Sequence, residues 1–135
     1  MIVCIGDRHY ALDMALRLSK KDAAVSFLGP LTSSDDDLKI LENLIDNCVM
    51  FDPIFCNSGD AESKVDRKRL ESAFSSNCDI NAVYISPAVV SDSFQLSETE
   101  KALKTVDARV FAGSPDDNPD VIADALIDAD NEKKR

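Results

Sequence analysis

The sequence has no paired cysteines and only one histidine. Four cysteines are present, and none forms a C-x-x-C pair: Cys4, Cys48, Cys56 and Cys78. His9 cannot complete a zinc site with them at any familiar spacing. A chain of 135 residues is long enough to bury a core without disulfides or metal. We therefore expect reduced thiols, no metal and a cytoplasmic protein, because unpaired cysteines are typical of a reducing compartment.

Long apolar runs and excess positive charge are also missing. No run approaches the roughly 20 residues that cross a bilayer, and 15 Lys and Arg residues face 25 Asp and Glu residues, for a net charge of −10. Because neutralised phosphates dominate binding to nucleic acids and anionic membranes, we expect neither as a partner. The one basic cluster, Lys64 to Arg69, indicates a solvated helix face or, alternatively, a contact with an acidic partner.

Short apolar runs alternate with amphipathic segments along the chain. Five runs are apolar enough to be strands buried on both faces: Ile2–Ile5, Ala24–Leu28, Pro53–Cys56, Ala82–Ser86 and Arg109–Ala112. This alternation predicts an α/β fold, a single three-layer α/β/α sandwich around about five mostly parallel strands in a Rossmann-like domain. The domain is expected over residues 1–130 and a flexible tail over 131–135. The strand order is open between 3-2-1-4-5 and 2-1-3-4-5.

Apolar spacing and capping signals predict five helices. They are about Tyr10 to Lys20, a segment after the Ser33-Ser34-Asp35 cap signal, Arg67 to Ser76, Ser97 to about Val106, and Asn118 to Leu126. Ser97 forms a capping box with Glu100, and Asn118 is an N-cap followed by Pro119. Residues predicted to point inward are Leu38, Leu41, Leu44 and Ile45 in the second helix, and Leu70, Ala73 and Phe74 in the third.

The carboxyl edge of the predicted sheet is the place to look for a ligand. In open α/β sheets ligands bind at this edge, where the strand order reverses. The glycines lie at or just after predicted strands, but tight turns need glycine for backbone reasons alone. The candidate ligand-binding residues at this edge are Gly6, Asp7, Arg8, Asn57, Ser58, Gly59, Asp60, Ser86, Gly113 and Ser114.

The order of these pieces resembles the first half of the short-chain dehydrogenase/reductase family. The first strand, glycine-rich turn and first helix of that family correspond to MIVCIGDRHYALDMALRL, and the end of its second strand to AAVSFLGP. Its third strand resembles IFCNSGDAESKVDRKRLESAF, with Asn57 to Asp60 near the adenine-contacting aspartate. Its fourth strand and the N-N-A-G segment correspond to NAVYISPA. The resemblance covers about the first ninety residues and implies a Rossmann-like fold.

The cofactor-binding glycine motif and the catalytic dyad of that family are not found in this chain. Gly6 is the only motif glycine present, with Tyr10 and Leu12 where the other two would stand, and no Tyr-x-x-x-Lys dyad follows the fourth strand. The missing glycines allow close approach to the pyrophosphate, and the dyad supplies the general acid. We therefore expect no NAD(P) cofactor and no hydride transfer.

Receiver domains, which also have five βα units, offer a second resemblance. Asp7 stands where a receiver has its metal-binding acids, and Ser86 stands where it has a hydroxyl. However, Asn57 lies nearest the phosphorylated position, and Ser114-Pro115 replaces the expected Lys-Pro. A phosphorelay is not expected, and a degenerate receiver-like regulator is one alternative.

No catalytic set emerges from the remaining polar residues. Asp7, His9 and Asp13 offer only three ligands on a turn, which rarely suffice for a metal site. Ser86 and Ser114 lack a second histidine to act as base. We therefore do not expect an enzyme, and an enzyme of unfamiliar chemistry is the weakest alternative.

The stretch before Ser97 suggests a contact surface. Its apolar residues are Val89, Val90, Phe94 and Leu96. In the dehydrogenase-like arrangement the neighbouring helices commonly pack against a second subunit, although these residues could equally fold back onto their own sheet. The favoured hypothesis is a non-catalytic module that acts through protein contacts, as a homodimer or with another protein. The main alternative is a small-molecule binder for a nucleotide or another anion.

Overall fold

The structure, a computed structural model, describes residues 1–7, 9–29, 35–52, 55–56, 64–65, 67–76 and 79–134. The elements in chain order are β1 Ile2–Ile5, α1 Tyr10–Lys20, β2 Val25–Leu28, α2 Asp35–Asp46, β3 Met50–Asp52, β4 Phe55–Cys56, β5 Lys64–Val65, α3 Arg67–Ser76, β6 Ala82–Ile85, α4 Pro87–Val90, α5 Ser93–Leu103, β7 Arg109–Ala112 and α6 Pro119–Lys134. None of the helices in these ranges is long and apolar enough to span a bilayer.

Five parallel strands form the central sheet in the order β3-β2-β1-β6-β7. Ile2 of β1 pairs with Val25 on one side and with Ala82 on the other. The predicted Rossmann-like α/β sandwich is therefore confirmed, with the 3-2-1-4-5 order of its sheet strands. Receiver domains have the flavodoxin-like 2-1-3-4-5 order, so the fold gives no support to the receiver-like alternative.

Two apolar cores cover the two faces of the sheet. Side chains alternate along a strand, so Cys4 and Tyr84 face one core, and Val3 and Val83 face the other. Helices α1, α2 and α6 pack on the first face, and α3, α4 and α5 pack on the second. Strands β1, β2 and β6 are buried throughout, as central parallel strands must be. We expected the strand Arg109–Ala112 to be buried on both faces, but β7 is largely exposed. It lies at the edge of the sheet and has a neighbouring strand on one side only.

The third strand of the sheet is not the predicted Pro53–Cys56 but β3, which pairs with Ser26–Leu28. After α2 the chain turns at Cys48, which has a positive φ of 58°, and Val49 N–H donates to the Leu44 carbonyl at 2.8 Å. The chain therefore enters the sheet before Pro53. Phe55–Cys56 instead pairs antiparallel with Lys64–Val65, so the basic cluster begins in a strand and not on a helix.

Two of the first three helices match the sequence prediction at both ends. Helices α1 and α3 have the predicted bounds, and Leu70, Ala73 and Phe74 are buried. In α2 only Leu44 of the four predicted inward residues is fully buried, whereas Leu38 is 46% and Ile45 is 63% exposed. This helix lies over the edge of the sheet, where fewer strands are available to cover its apolar face. The Ser33-Ser34 cap signal lies outside the described residues.

The last two predicted helices have different bounds in the structure, and α5 ends at Leu103 and not near the predicted Val106. Helix α5 begins at Ser93 because Asp92 Oδ1 accepts hydrogen bonds from Phe94 and Gln95 N–H at 3.1 and 3.2 Å, which leaves Ser97 inside the helix. Asn118 Oδ1 accepts from Asp120 N–H at 3.0 Å, so the predicted cap of α6 is confirmed. Helix α6 then continues to Lys134 and includes residues 131–134, which we expected in a frayed tail.

Candidate functional site

The crevice at the centre of the carboxyl edge is filled by the protein itself. Gly6 follows β1 and Ser86 follows β6, and Ser86 N–H donates to the Ile5 carbonyl at 2.9 Å. Gly6 has a φ of +147°, and a Cβ atom on it would overlap Ser86 Oγ. Ser86 is fully buried, and its Oγ accepts from Val89 N–H at 3.4 Å. The structure therefore brings these two predicted ligand residues together, but it leaves no exposed atom of Ser86 for a ligand.

The amides at the start of α1 already have an anionic partner. Asp7 Oδ2 accepts from His9 and Tyr10 N–H at 3.2 and 3.1 Å, and Asp7 Oδ1 accepts from Ala11 N–H at 3.4 Å. In nucleotide-binding proteins such amides hold phosphate. A phosphate at this turn would lose those donors and meet the Asp7 carboxylate. The neighbouring Arg8 lies outside the described residues.

The other predicted ligand residues lie apart from this crevice or outside the described part of the chain. Asn57, Ser58, Gly59 and Asp60 all fall outside it. Gly113 is buried, and a Cβ atom on it would stand 2.7 Å from the Tyr84 hydroxyl. Ser114 is exposed, and its N–H donates to Asp117 Oδ2 at 2.8 Å.

The four residues of the predicted interface do not share one exposure. Val89 is buried in the second core, whereas Val90 and Leu96 are partly buried against that core. Phe94 is 55% exposed. Val89 therefore folds back onto its own sheet, whereas more than half of the Phe94 surface is exposed.

A cleft of about 350 Å³ opens where α1, β6 and α6 meet, and we call it the α1–α6 cleft. Its polar lining residues are His9, Tyr10, Asp13, Arg17, Tyr84, Ser114 and Asp117. The cleft exists because α6 returns after the edge strand to pack against α1. It lies on the α1–α6 face of the sheet, beside the filled crevice.

Carboxylates dominate the charge of this cleft. Arg17 Nε lies 3.2 Å from Asp13 Oδ2, and an Arg17 terminal nitrogen lies 3.0 Å from Asp120 Oδ1. The hydrogen bond to Asp13 is the main reason that the pKa of Arg17 is raised. Asp117 forms no ion pair with any described cation. The Arg17 charge is thus compensated by two carboxylates, and Asp117 is left as a negative charge at the rim.

Tyr84 lines the cleft from the sheet and was not among the predicted site residues. It is 4% exposed, and its hydroxyl makes no hydrogen bond to any described residue. Tyr84 pairs with Phe111 in the sheet, yet its hydroxyl reaches Gly113, so the ring leans toward the carboxyl edge. Burial raises the pKa of Tyr84 to about 12, and the charges of neighbouring acidic groups, Asp117 among them, add to this effect. The hydroxyl is therefore protonated at neutral pH.

The described residues offer no group of three His, Cys, Asp or Glu side chains that could hold a metal ion. Burial raises the pKa of the Cys4 thiol, which makes this cysteine a poor nucleophile. No protein-family model matches the sequence, and no curated protein matches it either.

Proposed function

We propose that this chain is a non-catalytic Rossmann-like module that acts through protein contacts and associates with a second copy of itself. The observation that supports this proposal most directly is the exposure of Phe94, a large apolar side chain in the first turn of α5. Large aromatic side chains contribute most to binding when a partner covers them.

Phe94 has apolar neighbours along the chain. Val90 of α4 and Leu96 of α5 are partly exposed while they pack against the second core, and we define Val90, Phe94 and Leu96 as the α4–α5 patch. Val90 also lines a depression of about 340 Å³ together with Pro87 and Ala88. Because Val90 and Leu96 are already held against the second core, these two side chains would lose little freedom when a partner binds.

Two further features favour protein contact over nucleotide binding. The amides at the start of α1 are bonded to Asp7, and Ser86 fills the space over Gly6.

The net charge of −10 makes two copies repel each other at long range. Association must therefore come from apolar contact, and it should strengthen as salt screens the repulsion.

The test is the mass of the wild-type chain and two variants in analytical ultracentrifugation at high micromolar concentration. Phe94→Glu should give a folded monomer, because the side chain is outside the core and its removal leaves the core intact. Val121→Glu is the matched control, since Val121 is 61% exposed on α6, which packs on the other face of the sheet. We expect the wild type and Val121→Glu to be dimers.

A monomeric wild type at this concentration would refute self-association. A dimeric Phe94→Glu variant would refute the α4–α5 patch as the contact surface. Circular dichroism of each variant separates loss of association from loss of fold.

A further inference from the structure

We infer that the α1–α6 cleft is a binding site for a small organic cation, an ammonium group on an apolar or single-ring body. This inference does not depend on the proposed self-association, because Val90, Phe94 and Leu96 do not line the cleft. The cleft and the depression beside Val90 are neighbours that share Tyr10, Ser114 and Pro115.

The first observation is the hydroxyl of Tyr84. Tyr84 is 4% exposed and lines the cleft, and no described residue hydrogen-bonds its hydroxyl. Buried hydroxyls nearly always have a hydrogen-bond partner, because leaving one unpaired costs free energy. Phenylalanine would fill the same place in the core without that cost. A tyrosine at this position is explained by a ligand in the cleft that bonds to the hydroxyl.

The second observation is the sign of the charge. Asp13 and Asp120 compensate Arg17 at 3.2 and 3.0 Å, and Asp117 has no cationic partner among the described residues. Asp117 Oδ2 is held by Ser114 N–H at 2.8 Å, so the carboxylate is fixed in position before a ligand arrives. A negative, preorganised rim attracts a cation and repels phosphates and carboxylates.

The third observation is the apolar wall. Met14, Pro115 and Ile122 line the cleft beside the polar groups, and the ring of Tyr10 is partly exposed at its mouth. The volume of about 350 Å³ is near the lower limit of roughly 300 Å³ for ligand pockets, which limits the ligand to about one ring. An aromatic face beside a carboxylate is also a favourable place for an ammonium group.

The experiment uses three probes that share one ring and differ in charge: 2-phenylethylamine, 2-phenylethanol and 3-phenylpropionate. Each is titrated into the 15N-labelled full chain, and binding is followed by amide chemical shifts. The variants are Tyr84→Phe, which removes only the hydroxyl, and Asp117→Asn, which keeps an acceptor for Ser114 N–H but removes the charge. Asp128→Asn is the control, because it removes an exposed carboxylate of α6 outside the cleft.

We expect 2-phenylethylamine to bind and to shift amides around the cleft, with the alcohol weaker and the carboxylate weakest. Asp117→Asn should weaken the amine by about tenfold, as loss of a charge-assisted hydrogen bond does, and Asp128→Asn should leave its affinity unchanged. Tyr84→Phe should weaken binding without lowering the melting temperature of the free protein.

Three results would overturn the inference: no binding of the amine, binding of the carboxylate as tightly as the amine, or equal effects of Asp117→Asn and Asp128→Asn. A lower melting temperature of Tyr84→Phe would assign Tyr84 a purely structural role. The same titration on Phe94→Glu keeps this test separate from that of self-association, because the monomeric variant should bind the amine as the wild type does.

Discussion

Gly6 and Ser86 are in contact across the centre of the sheet, at a separation that leaves no room for a side chain on Gly6. The two residues follow the central strands β1 and β6, where a Rossmann-like domain ordinarily opens its ligand crevice. The glycine therefore serves the packing of Ser86 and the start of α4, and not the approach of a pyrophosphate.

Gly6→Ala should destabilise the protein by about 2 kcal/mol or more. The added methyl group would overlap Ser86, and the positive φ of Gly6 is unfavourable for alanine, so overpacking and backbone strain add. Urea denaturation measures the change in the free energy of unfolding. Ser97→Ala on the exposed face of α5 should change it by less than about 0.5 kcal/mol. Equal effects of the two substitutions would contradict the close contact.

Asp7→Ala should both weaken α1 and create an anion site. Loss of the carboxylate should cost about 1 kcal/mol, as removal of a helix cap does, and the freed amides should bind phosphate. The measurement is the rise in melting temperature on adding phosphate, which should be larger for Asp7→Ala than for the wild type. Asp128→Ala, which removes the same charge elsewhere, is the control.

For the wild type we expect no NAD(P) binding in titration calorimetry, because Asp7 already occupies these amides. A dissociation constant in the low micromolar range, which corresponds to a binding free energy of about −8 kcal/mol, would contradict this expectation.

The thiols should react in an order that follows their burial. Cys48 is exposed and Cys4 is buried, and burial raises the pKa of the Cys4 thiol. A thiol reagent added to the native protein should therefore label Cys48 quickly and Cys4 only on unfolding, and Cys48→Ser should remove this fast reaction at Cys48. In denaturant without reductant, all four cysteines should be free. A lower count would contradict the predicted absence of disulfides.

Stability should fall in alkali because of Tyr84. Its pKa of about 12 in the folded protein lies above the ordinary value of 10.0, so the folded state holds this proton more tightly than the unfolded state. The stabilising contribution is complete below about pH 10 and is lost as the pH rises to about 12. Denaturation at pH 8 to 12 should show this fall, and Tyr84→Phe should reduce it. An unchanged slope in the variant would assign the fall to other groups.

The local sequence pattern predicted most of the fold, because helix spacing and capping residues are signals that lie within a few residues of each other. Amphipathic spacing placed α1 and α3 correctly, and Asn118-Pro119 marked the start of α6. The predicted position of the third strand was wrong because the apolar run that begins at Pro53 resembles a buried strand. The point at which the chain joins the sheet depends instead on the turn at Cys48. The predicted start of the fourth helix was wrong because the sequence offers two capping residues, Ser97 and Asp92. In the structure Asp92 provides the cap.

The site was less predictable because it joins distant segments. Gly6, Ser86 and Ser114 were expected near one edge, but burial of Ser86 against Gly6 depends on which strands are neighbours. Tyr84 was visible only as a tyrosine inside an apolar strand. Tyr84 lines a cleft only because α6 packs against α1, and the local sequence pattern does not predict that contact.

The strand order also has a consequence for how the chain folds. Strands β1, β2 and β3 pair with near neighbours in sequence, whereas β1 and β6 meet only when Ile2 reaches Ala82. Closing so long a segment costs conformational entropy before its contacts form. We therefore expect the β1–β6 pairing to limit the refolding rate, with Val83→Ala slowing refolding more than Val25→Ala in stopped-flow measurements. The seam at which Rossmann-like proteins ordinarily hold a ligand would then be the last part of this sheet to assemble.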